Sequence, residues 1–137
     1  IMLAGTWSIF KDPDGILSPI EFNKLPFKPR RIFYVSNIPK GEERGKHAHY
    51  NTKQILTCMQ GEILVKLHDG SSTGPQEHIL YPNDWIFVDK LVWDSQVFLT
   101  GEDILMAICS TTYKKIDYIE DFDKFLQIVR YRGRKNK

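Results

Sequence analysis

The chain has 137 residues, a length typical of one domain with a single hydrophobic core. Hydrophobic residues make up 42% and charged residues 26%, with a net charge of +2. This balance excludes a disordered or collagen-like chain and gives no reason to expect nucleic-acid binding. No apolar run approaches the ~20 residues that a membrane-spanning helix needs, so we expect no membrane association.

Short β-like runs divided by turn residues fill most of the chain. Gln60-Gly61 separates two of them and is a tight hairpin signal. Roughly eight or nine strands at about ten-residue spacing, without helical patterns between them, predict an all-β sandwich or barrel. In chain order the runs are residues 15–22, 30–38, 53–59, 62–69, 77–81, 85–89, 95–99 and 103–111.

The last part of the chain has a helical pattern. Its apolar residues recur at three- and four-residue spacing, and Asp117 with Glu120 resembles a capping box, so the helix is predicted to begin near Tyr118. We therefore expect one domain over residues 1–130 and a basic, flexible tail over residues 131–137. The apolar stripe consists of Ile119, Phe122, Phe125, Leu126 and Val129.

Both cysteines, Cys58 and Cys109, stand singly inside apolar runs. This placement favours small buried side chains over a disulfide. It predicts a protein of the reducing cytoplasm.

The two histidines in "RGKHAH", His47 and His49, are two residues apart. In an extended strand such residues point to the same face, so their imidazoles are predicted to lie side by side. A pair of this kind can bind a metal ion, carry protons or stand on an exposed edge strand, and the pair alone leaves these alternatives open.

The spacing around these histidines resembles the first cupin motif. Five residues separate Gly41 from His47, four separate His49 from Gln54, and six separate Gln54 from Gly61. Only Gln54 departs from the motif, which has glutamate there. The resemblance implies a cupin-type double-sheet jelly roll, in agreement with the predicted strands.

The expected metal ligands of a cupin are incomplete. Gln54 replaces the acid, and the region resembling the second motif has Asp94 and Ser95 where a histidine would stand. Two neutral imidazoles and an amide give a divalent cation no anionic ligand, so we predict no metal. Asp94 as a third strong ligand remains the alternative.

Without a metal, two imidazoles suit acid–base chemistry next to a ketone. One base can remove a proton beside the carbonyl, and return of a proton to the neighbouring carbon moves the ketone through an enediol. Such a site also needs donors that stabilise negative charge developing on oxygen.

Nearly the whole chain resembles the cupin-fold 3,4-ketoisomerases that act on dTDP-4-keto-6-deoxyglucose. The resemblance implies an isomerase that moves the ketone from C4 to C3, without metal or cofactor, in biosynthesis of 3-amino-3,6-dideoxy sugars for surface glycans. It also implies a homodimer with an exchanged N-terminal strand, acting upstream of a pyridoxal-phosphate aminotransferase. The matching segments are residues 14–22, 26–35, 44–49, 54–70, 91–98 and 110–126.

The resemblance also implies roles for individual residues. His47 matches the base that takes the C3 proton, His49 the partner that delivers a proton at C4 or relays one between oxygens, and Tyr34 a tyrosine of the pocket. The alternative for Tyr34 is an inward aromatic of the sheet. Arg44 and Arg31 are expected to contact the pyrophosphate through forked guanidinium hydrogen bonds, and a solvated strand residue is the alternative for Arg31.

Two further residues have a binding and a structural interpretation. Gln54 is expected to contact a sugar hydroxyl or to orient a histidine, and Trp93 to form a pocket wall or a base-stacking surface. A purely structural role is the alternative for both. Asp94 departs from the family, which often has histidine or arginine after this tryptophan. At the level of function, the alternatives are a metal-dependent cupin enzyme and a non-catalytic cupin that binds nucleotide sugars.

Overall fold

The computed structural model describes residues 3–135 as twelve short strands and one α-helix. No helix in this part of the chain is long and apolar enough to cross a membrane. The strands are β1 Ala4–Thr6, β2 Phe10–Asp12, β3 Gly15–Leu17, β4 Arg31–Val35, β5 Glu43–His49, β6 Gln54–Gln60, β7 Ile63–His68, β8 Gln76–Leu80, β9 Asp84–Val88, β10 Trp93–Phe98, β11 Ile104–Cys109 and β12 Tyr118–Ile119, and the helix is α1 Phe122–Lys135.

The strands form two five-stranded sheets and one separate hairpin. The first sheet has the order β1-β9-β6-β11-β4 and the second the order β12-β5-β10-β7-β8, while β2 and β3 pair with each other. All neighbouring strands are antiparallel. The predicted all-β jelly roll with one C-terminal helix is therefore confirmed.

The main core lies between the two sheets. Alternate residues of β7 point inward, so Ile63 and Val65 are fully buried while Leu64 and Lys66 are only partly buried. Because each fully buried aliphatic side chain stabilises the fold by roughly 1.5–3 kcal/mol, this alternation fixes which face of each strand is turned inward. The other inward members are Leu56, Cys58, Leu67, Leu80, Ile86, Val88, Phe98, Leu105, Ala107 and Cys109, together with Ile38 from a loop.

The turn between β6 and β7 is tied to the turn before β11 by Asp103. One carboxylate oxygen accepts hydrogen bonds from the Glu62 N–H at 2.8 Å and the Thr100 hydroxyl at 2.7 Å. The other accepts from the backbone N–H groups of Thr100 and Gly101. Gly61 has φ of 86°, and a Cβ there would meet Asp103, so this turn requires glycine. The predicted turn at Gln60-Gly61 is present, but the hairpin is wrong. The turn carries the chain from the first sheet to the second, so β6 pairs with β9 and β11 while β7 pairs with β8 and β10.

Helix α1 begins four residues later than predicted. Asp121 caps it, since its Oδ1 accepts a hydrogen bond from the Lys124 N–H at 3.1 Å. Tyr118 and Ile119 instead form β12, which pairs with β5 and gains sheet hydrogen bonds that a helix start would forgo. The predicted Asp117–Glu120 capping box is therefore wrong.

The helix covers the outer face of the second sheet. Phe125 is fully buried against Ala48 and Ile119, with Leu126, Ile128 and Val129 packed around them. The predicted tail, residues 131–137, is helical as far as Lys135, so the basic residues at its start extend the helix. Residues 136–137 lie outside the described part of the chain.

Candidate active site

A cavity of about 90 Å³ opens between the two sheets beside the paired histidines. Its polar lining comes from His47, Gln54, Asp94, Gln96, Tyr118 and Arg44, and its apolar lining from Phe33, Val35, Leu56, Phe98 and Leu105. A larger cavity of about 290 Å³, lined by Leu3, Phe87 and Asp89 among others, has no histidine in its walls. We therefore assign the chemistry to the smaller cavity.

His47 and His49 lie side by side at the end of β5. Their ring centroids are 5.0 Å apart with an interplanar angle of 73°. His49 is 2% exposed, while His47 is half-buried and lines the cavity. The prediction that these two imidazoles lie side by side on one face of a strand is therefore confirmed.

A bulge in β5 and β10 positions this pair. Gly45 and Lys46 have φ of 83° and 60°, and the register between the strands shifts next to Asp94. A Cβ at Gly45 would come within 3.0 Å of the Gln96 side chain and 3.2 Å of the Asp94 carbonyl oxygen. The glycine is therefore needed for the approach that brings Asp94 opposite His47 in the ladder.

Tyr118 completes the group around the imidazoles. It pairs with His49 across β12 and β5, and its ring centroid lies 5.1 Å from that of His47 and 4.5 Å from that of His49. Burial raises the pKa of the Tyr118 hydroxyl. The nearby Arg31 guanidinium, a hydrogen-bond partner, opposes this increase but does not cancel it, so the phenol stays protonated at neutral pH. Sequence reasoning missed Tyr118 because it assigned this residue to the start of the helix.

The turn before β12 holds Tyr118 in place. Asp117 accepts a hydrogen bond from the Asn51 N–H at 2.8 Å and another from the Thr52 hydroxyl. Its own carbonyl oxygen accepts from the Tyr50 N–H at 2.9 Å. These bonds hold the start of β12 against the residues that follow β5, so the tyrosine and the histidines keep their register.

Asp94 brings a carboxylate to the imidazoles. It is 1% exposed, and its Oδ1 accepts a hydrogen bond from Gln96 Nε2 at 2.5 Å. Its Oδ2 and the Nε2 of His49 have no hydrogen-bond partner among residues 3–135. Burial raises the pKa of Asp94 to about 7, against the opposing hydrogen bond from Gln96.

Both imidazoles are neutral at physiological pH. Burial lowers the pKa of His49 to about 4, with His47 and Arg31 acting in the same direction and Asp117 opposing them. Burial also lowers the pKa of His47, although Glu120 and a hydrogen bond to the Gly45 backbone act against it. A neutral imidazole has a lone pair available for a proton, so the pair suits a base better than a cationic anchor.

Three of the predicted binding residues lie at or near the cavity. Gln54 lines it and is fixed by a hydrogen bond from its Nε2 to Cys109 Sγ at 3.3 Å. Arg44 lines it with an exposed side chain. Arg31 lies between the Phe33 and Tyr113 rings, 5.6 and 5.7 Å from their centroids, with a buried Nε that has no partner in the described residues.

Two predicted site residues point away from the cavity. Tyr34 is 73% exposed, because the alternation of β4 turns Phe33 and Val35 inward and Tyr34 outward. Trp93 lies on the opposite face of β10 from Asp94 and packs against Phe122, 5.2 Å between ring centroids. Neither side chain lines this cavity, so its geometry does not support the catalytic role predicted for Tyr34 or the pocket-wall role predicted for Trp93.

His47, His49 and Asp94 could together bind a metal ion, although the sequence analysis predicted no metal. One ligand atom from each of His47, His49 and Asp94 lies within 4.8 Å of the other two. Asp94 supplies the anionic ligand whose absence argued against a metal. Two imidazoles and a carboxylate suit zinc, iron or cobalt, so this is the place in the described chain where such an ion fits.

Two antiparallel sheets around a cavity with paired histidines define a cupin-type jelly roll. A family model described as FdtA, WxcM-like, C-terminal, matches residues 5–130. TDP-4-oxo-6-deoxy-α-D-glucose-3,4-oxoisomerase from Aneurinibacillus thermoaerophilus is 33% identical over 120 residues, which cover 86% of this chain and 85% of that protein. The chain belongs to this FdtA/WxcM-like family of cupin-fold sugar 3,4-ketoisomerases.

Solved structures agree with this assignment. A 3,4-ketoisomerase from Helicobacter canadensis has a TM-score of 0.88 and 30% identity, covering 94% of this chain and 97% of its own. A histidine-to-asparagine variant of the 3,4-ketoisomerase QdtA from Thermoanaerobacterium thermosaccharolyticum, in complex with TDP-4-keto-6-deoxyglucose, has a TM-score of 0.88 and 25% identity, covering 96% and 95%.

Proposed function

We propose that this enzyme moves the ketone of dTDP-4-keto-6-deoxyglucose from C4 to C3. The observation that carries the proposal is the grouping of two neutral imidazoles and one phenol, with His47 and Tyr118 in the lining of one cavity and the His49 ring in contact with both. One group removes the proton on C3 while O4 gains one, giving an enediol. Loss of the O3 proton and protonation of C4 then give the 3-keto isomer, with no net change in atoms or electrons.

His47 is the base that takes the C3 proton. It is the more exposed imidazole and lines the cavity, and burial keeps it neutral and ready to accept a proton. A positioned acid or base of this kind accelerates a reaction by about 10²–10⁴-fold.

His49 and Tyr118 return and relay protons. His49 is the deeper imidazole, and Tyr118 contacts both rings. A protonated phenol can donate a hydrogen bond to the oxygen that becomes negative in the enediolate. Tyr118 thus takes the role that the sequence gave to Tyr34.

The nucleotide is held by cationic side chains at the edge of the cavity. The Arg31 Nε lacks a partner within the described residues, and the Arg44 side chain is exposed beside the cavity, so both suit pyrophosphate oxygens. Gln54 lines the cavity, so its side chain can contact a sugar hydroxyl. The solved QdtA complex contains this type of ligand, which supports the choice of substrate.

A second copy of the chain completes the site. The cavity of about 90 Å³ is small beside the roughly 300–1,000 Å³ of typical ligand pockets. Meanwhile the β2–β3 hairpin leaves Phe10, Ile16 and Leu17 exposed by 60% or more. An exchanged N-terminal segment would bury these side chains and enlarge the binding surface, as expected for a homodimer.

The reaction has a defined place in metabolism. A 3-keto sugar is a substrate for transamination at C3, so a pyridoxal-phosphate aminotransferase would act next and yield 3-amino sugars for surface glycans. We place the enzyme in the cytoplasm, where its nucleotide substrate and reduced thiols are expected.

The isomerisation needs no metal or cofactor in this proposal. The His47, His49 and Asp94 cluster is the observation that favours the second candidate, a metal-dependent cupin enzyme. A non-catalytic nucleotide-sugar-binding cupin is the third.

One assay separates the three candidates. Chelator-treated protein is incubated with dTDP-4-keto-6-deoxyglucose, and the 3-keto product is trapped by an aminotransferase and identified by proton NMR. The isomerase proposal expects undiminished turnover after removal of metals. Activity restored only by added iron would establish the metal-dependent enzyme, and tight dTDP binding without turnover would establish the binding protein.

A further inference from the structure

We propose that His47, His49 and Asp94 form a binding site for a divalent transition-metal ion such as Zn²⁺ or Co²⁺, and that a bound ion inhibits the enzyme. The binding part of this inference is independent of the proposed function. The inhibitory part rests on it, because it assumes that the same imidazoles carry protons.

The ladder brings the three donors together. Asp94 stands opposite His47 in the pairing of β5 and β10, and His49 follows on the same face of β5. One ligand atom of each lies within 4.8 Å of the others. Ligands of zinc at about 2.0–2.2 Å stand roughly 3.3 Å from each other, so rotation of the side chains by on the order of an ångström closes the site.

Two buried atoms in this cluster lack partners. His49 Nε2 and Asp94 Oδ2 make no hydrogen bond within residues 3–135, although their residues are only 2% and 1% exposed. Most buried polar atoms are hydrogen-bonded, because desolvation without a partner is costly. A cation ligated by both atoms would satisfy them at once, and no other described residue does so.

The chemistry of the donors selects the kind of ion. Two imidazole nitrogens and one carboxylate oxygen are ligands that zinc and cobalt favour over calcium or magnesium, which prefer oxygen alone. Three protein ligands also leave coordination positions open toward the cavity. The oxygen atoms of an adjacent keto and hydroxyl group, or water, can fill these positions.

A bound ion would oppose the proposed proton transfer. A ring nitrogen that ligates a metal has no lone pair left to accept a proton from carbon. The ion would also occupy the space in which the imidazoles face the sugar. Zinc should therefore act as a reversible inhibitor that a chelator removes.

Cobalt titration of protein without an affinity tag measures the site directly. Chelator-treated wild-type protein should bind one Co²⁺ per chain with visible d–d absorption of a low-coordinate site, and Zn²⁺ should displace it. Asp94→Asn retains the size of the side chain and an acceptor for Gln96 but removes the anionic ligand. We expect Asp94→Asn to weaken cobalt binding by at least about 100-fold. This is more than the loss expected when a residue that only orients a metal ligand is replaced.

His68→Ala is the matched control, because His68 lies outside the cluster. It should leave cobalt binding unchanged. Equal binding by Asp94→Asn and wild type, or loss of binding in His68→Ala, would overturn the site, as would the absence of stoichiometric binding. If Asp94→Asn does not fold, the histidine NMR signals of the wild type decide: zinc should move those of His47 and His49 and leave that of His68 in place.

Turnover in the presence of zinc tests inhibition separately. Zinc that lowers isomerisation, with recovery after chelation, supports the proposal, and zinc that raises it contradicts both the inhibition and the metal-free mechanism. Cobalt binding at these three residues in a protein without isomerase activity would leave the metal site standing and refute the proposed function instead.

Discussion

His47 and Asp94 stand opposite each other where β5 meets β10, beside a bulge that shifts the register of the two strands. The pairing places a nearly fully buried carboxyl next to a half-buried imidazole. Because the bulge depends on backbone conformations with positive φ at Gly45 and Lys46, the arrangement is set by the main chain and not by side-chain packing alone.

Replacing Tyr118 and Tyr34 by phenylalanine, one at a time, tests which tyrosine supplies the phenol of the site. Tyr118→Phe removes the hydroxyl that lies beside both imidazoles, and we expect kcat to fall by about 100-fold with little change in stability. Tyr34→Phe removes an exposed hydroxyl and should leave kcat within a factor of two or so. Steady-state kinetics of both variants decide, and the opposite ranking would return the catalytic role to Tyr34.

Trp93 should matter for stability and not for substrate affinity. It packs against Phe122 and Phe125 of the helix, so Trp93→Ala is expected to lower the free energy of unfolding by about 3 kcal/mol. Tyr81→Ala, at a residue that is 51% exposed, is the control and should change it by less than about 0.5 kcal/mol. Urea unfolding measures both. A large rise in KM for dTDP-sugar in folded Trp93→Ala would show that the tryptophan contacts the ligand after all.

Asp103 makes the fold sensitive to acid. Burial works to raise the pKa of its carboxyl, but hydrogen bonds from Thr100, Glu62 and Gly101 outweigh it and lower the pKa. A folded-state pKa below the unfolded one means that the stabilisation is present above the unfolded pKa and is lost as pH falls through the folded pKa.

We therefore expect Asp103→Ala to lose about 3 kcal/mol of unfolding free energy at pH 7 and much less in acid. Urea unfolding over a series of pH values measures the difference between the variant and the wild type. Asp89→Ala, at an exposed residue whose carboxylate accepts a hydrogen bond from the adjacent Lys90 N–H, is the control and should change the unfolding free energy at pH 7 by less than about 0.5 kcal/mol. A difference that stays constant with pH would contradict the account.

The strands and the histidine pair could be predicted from local patterns. Alternation along β7 and the Gln60-Gly61 turn are properties of neighbouring residues, and so is the two-residue separation of His47 and His49. These features do not depend on which distant segments come together. The spacing of apolar residues and the residue types at turns were enough to predict these features.

The rest of the site depends on long-range pairing. Tyr118 reaches the imidazoles only because β12 pairs with β5, and the capping pattern at Asp117 predicted a helix there instead. Tyr34 was assigned to the pocket, but its neighbours Phe33 and Val35 occupy the inward positions of β4. A shift of one residue reverses the face of a strand, so resemblance in sequence located this strand but not its inward side chains.

The most direct test of the central claim follows deuterium from solvent into the sugar. Wild-type protein, free of metal, is incubated with dTDP-4-keto-6-deoxyglucose in deuterated water, and proton NMR records the loss of the C3 signal and the appearance of the 3-keto isomer. We expect both, with His47→Asn slower by about 10²–10⁴-fold and His78→Asn unchanged. Undiminished C3 exchange and isomerisation in folded His47→Asn would contradict proton transfer by the paired imidazoles.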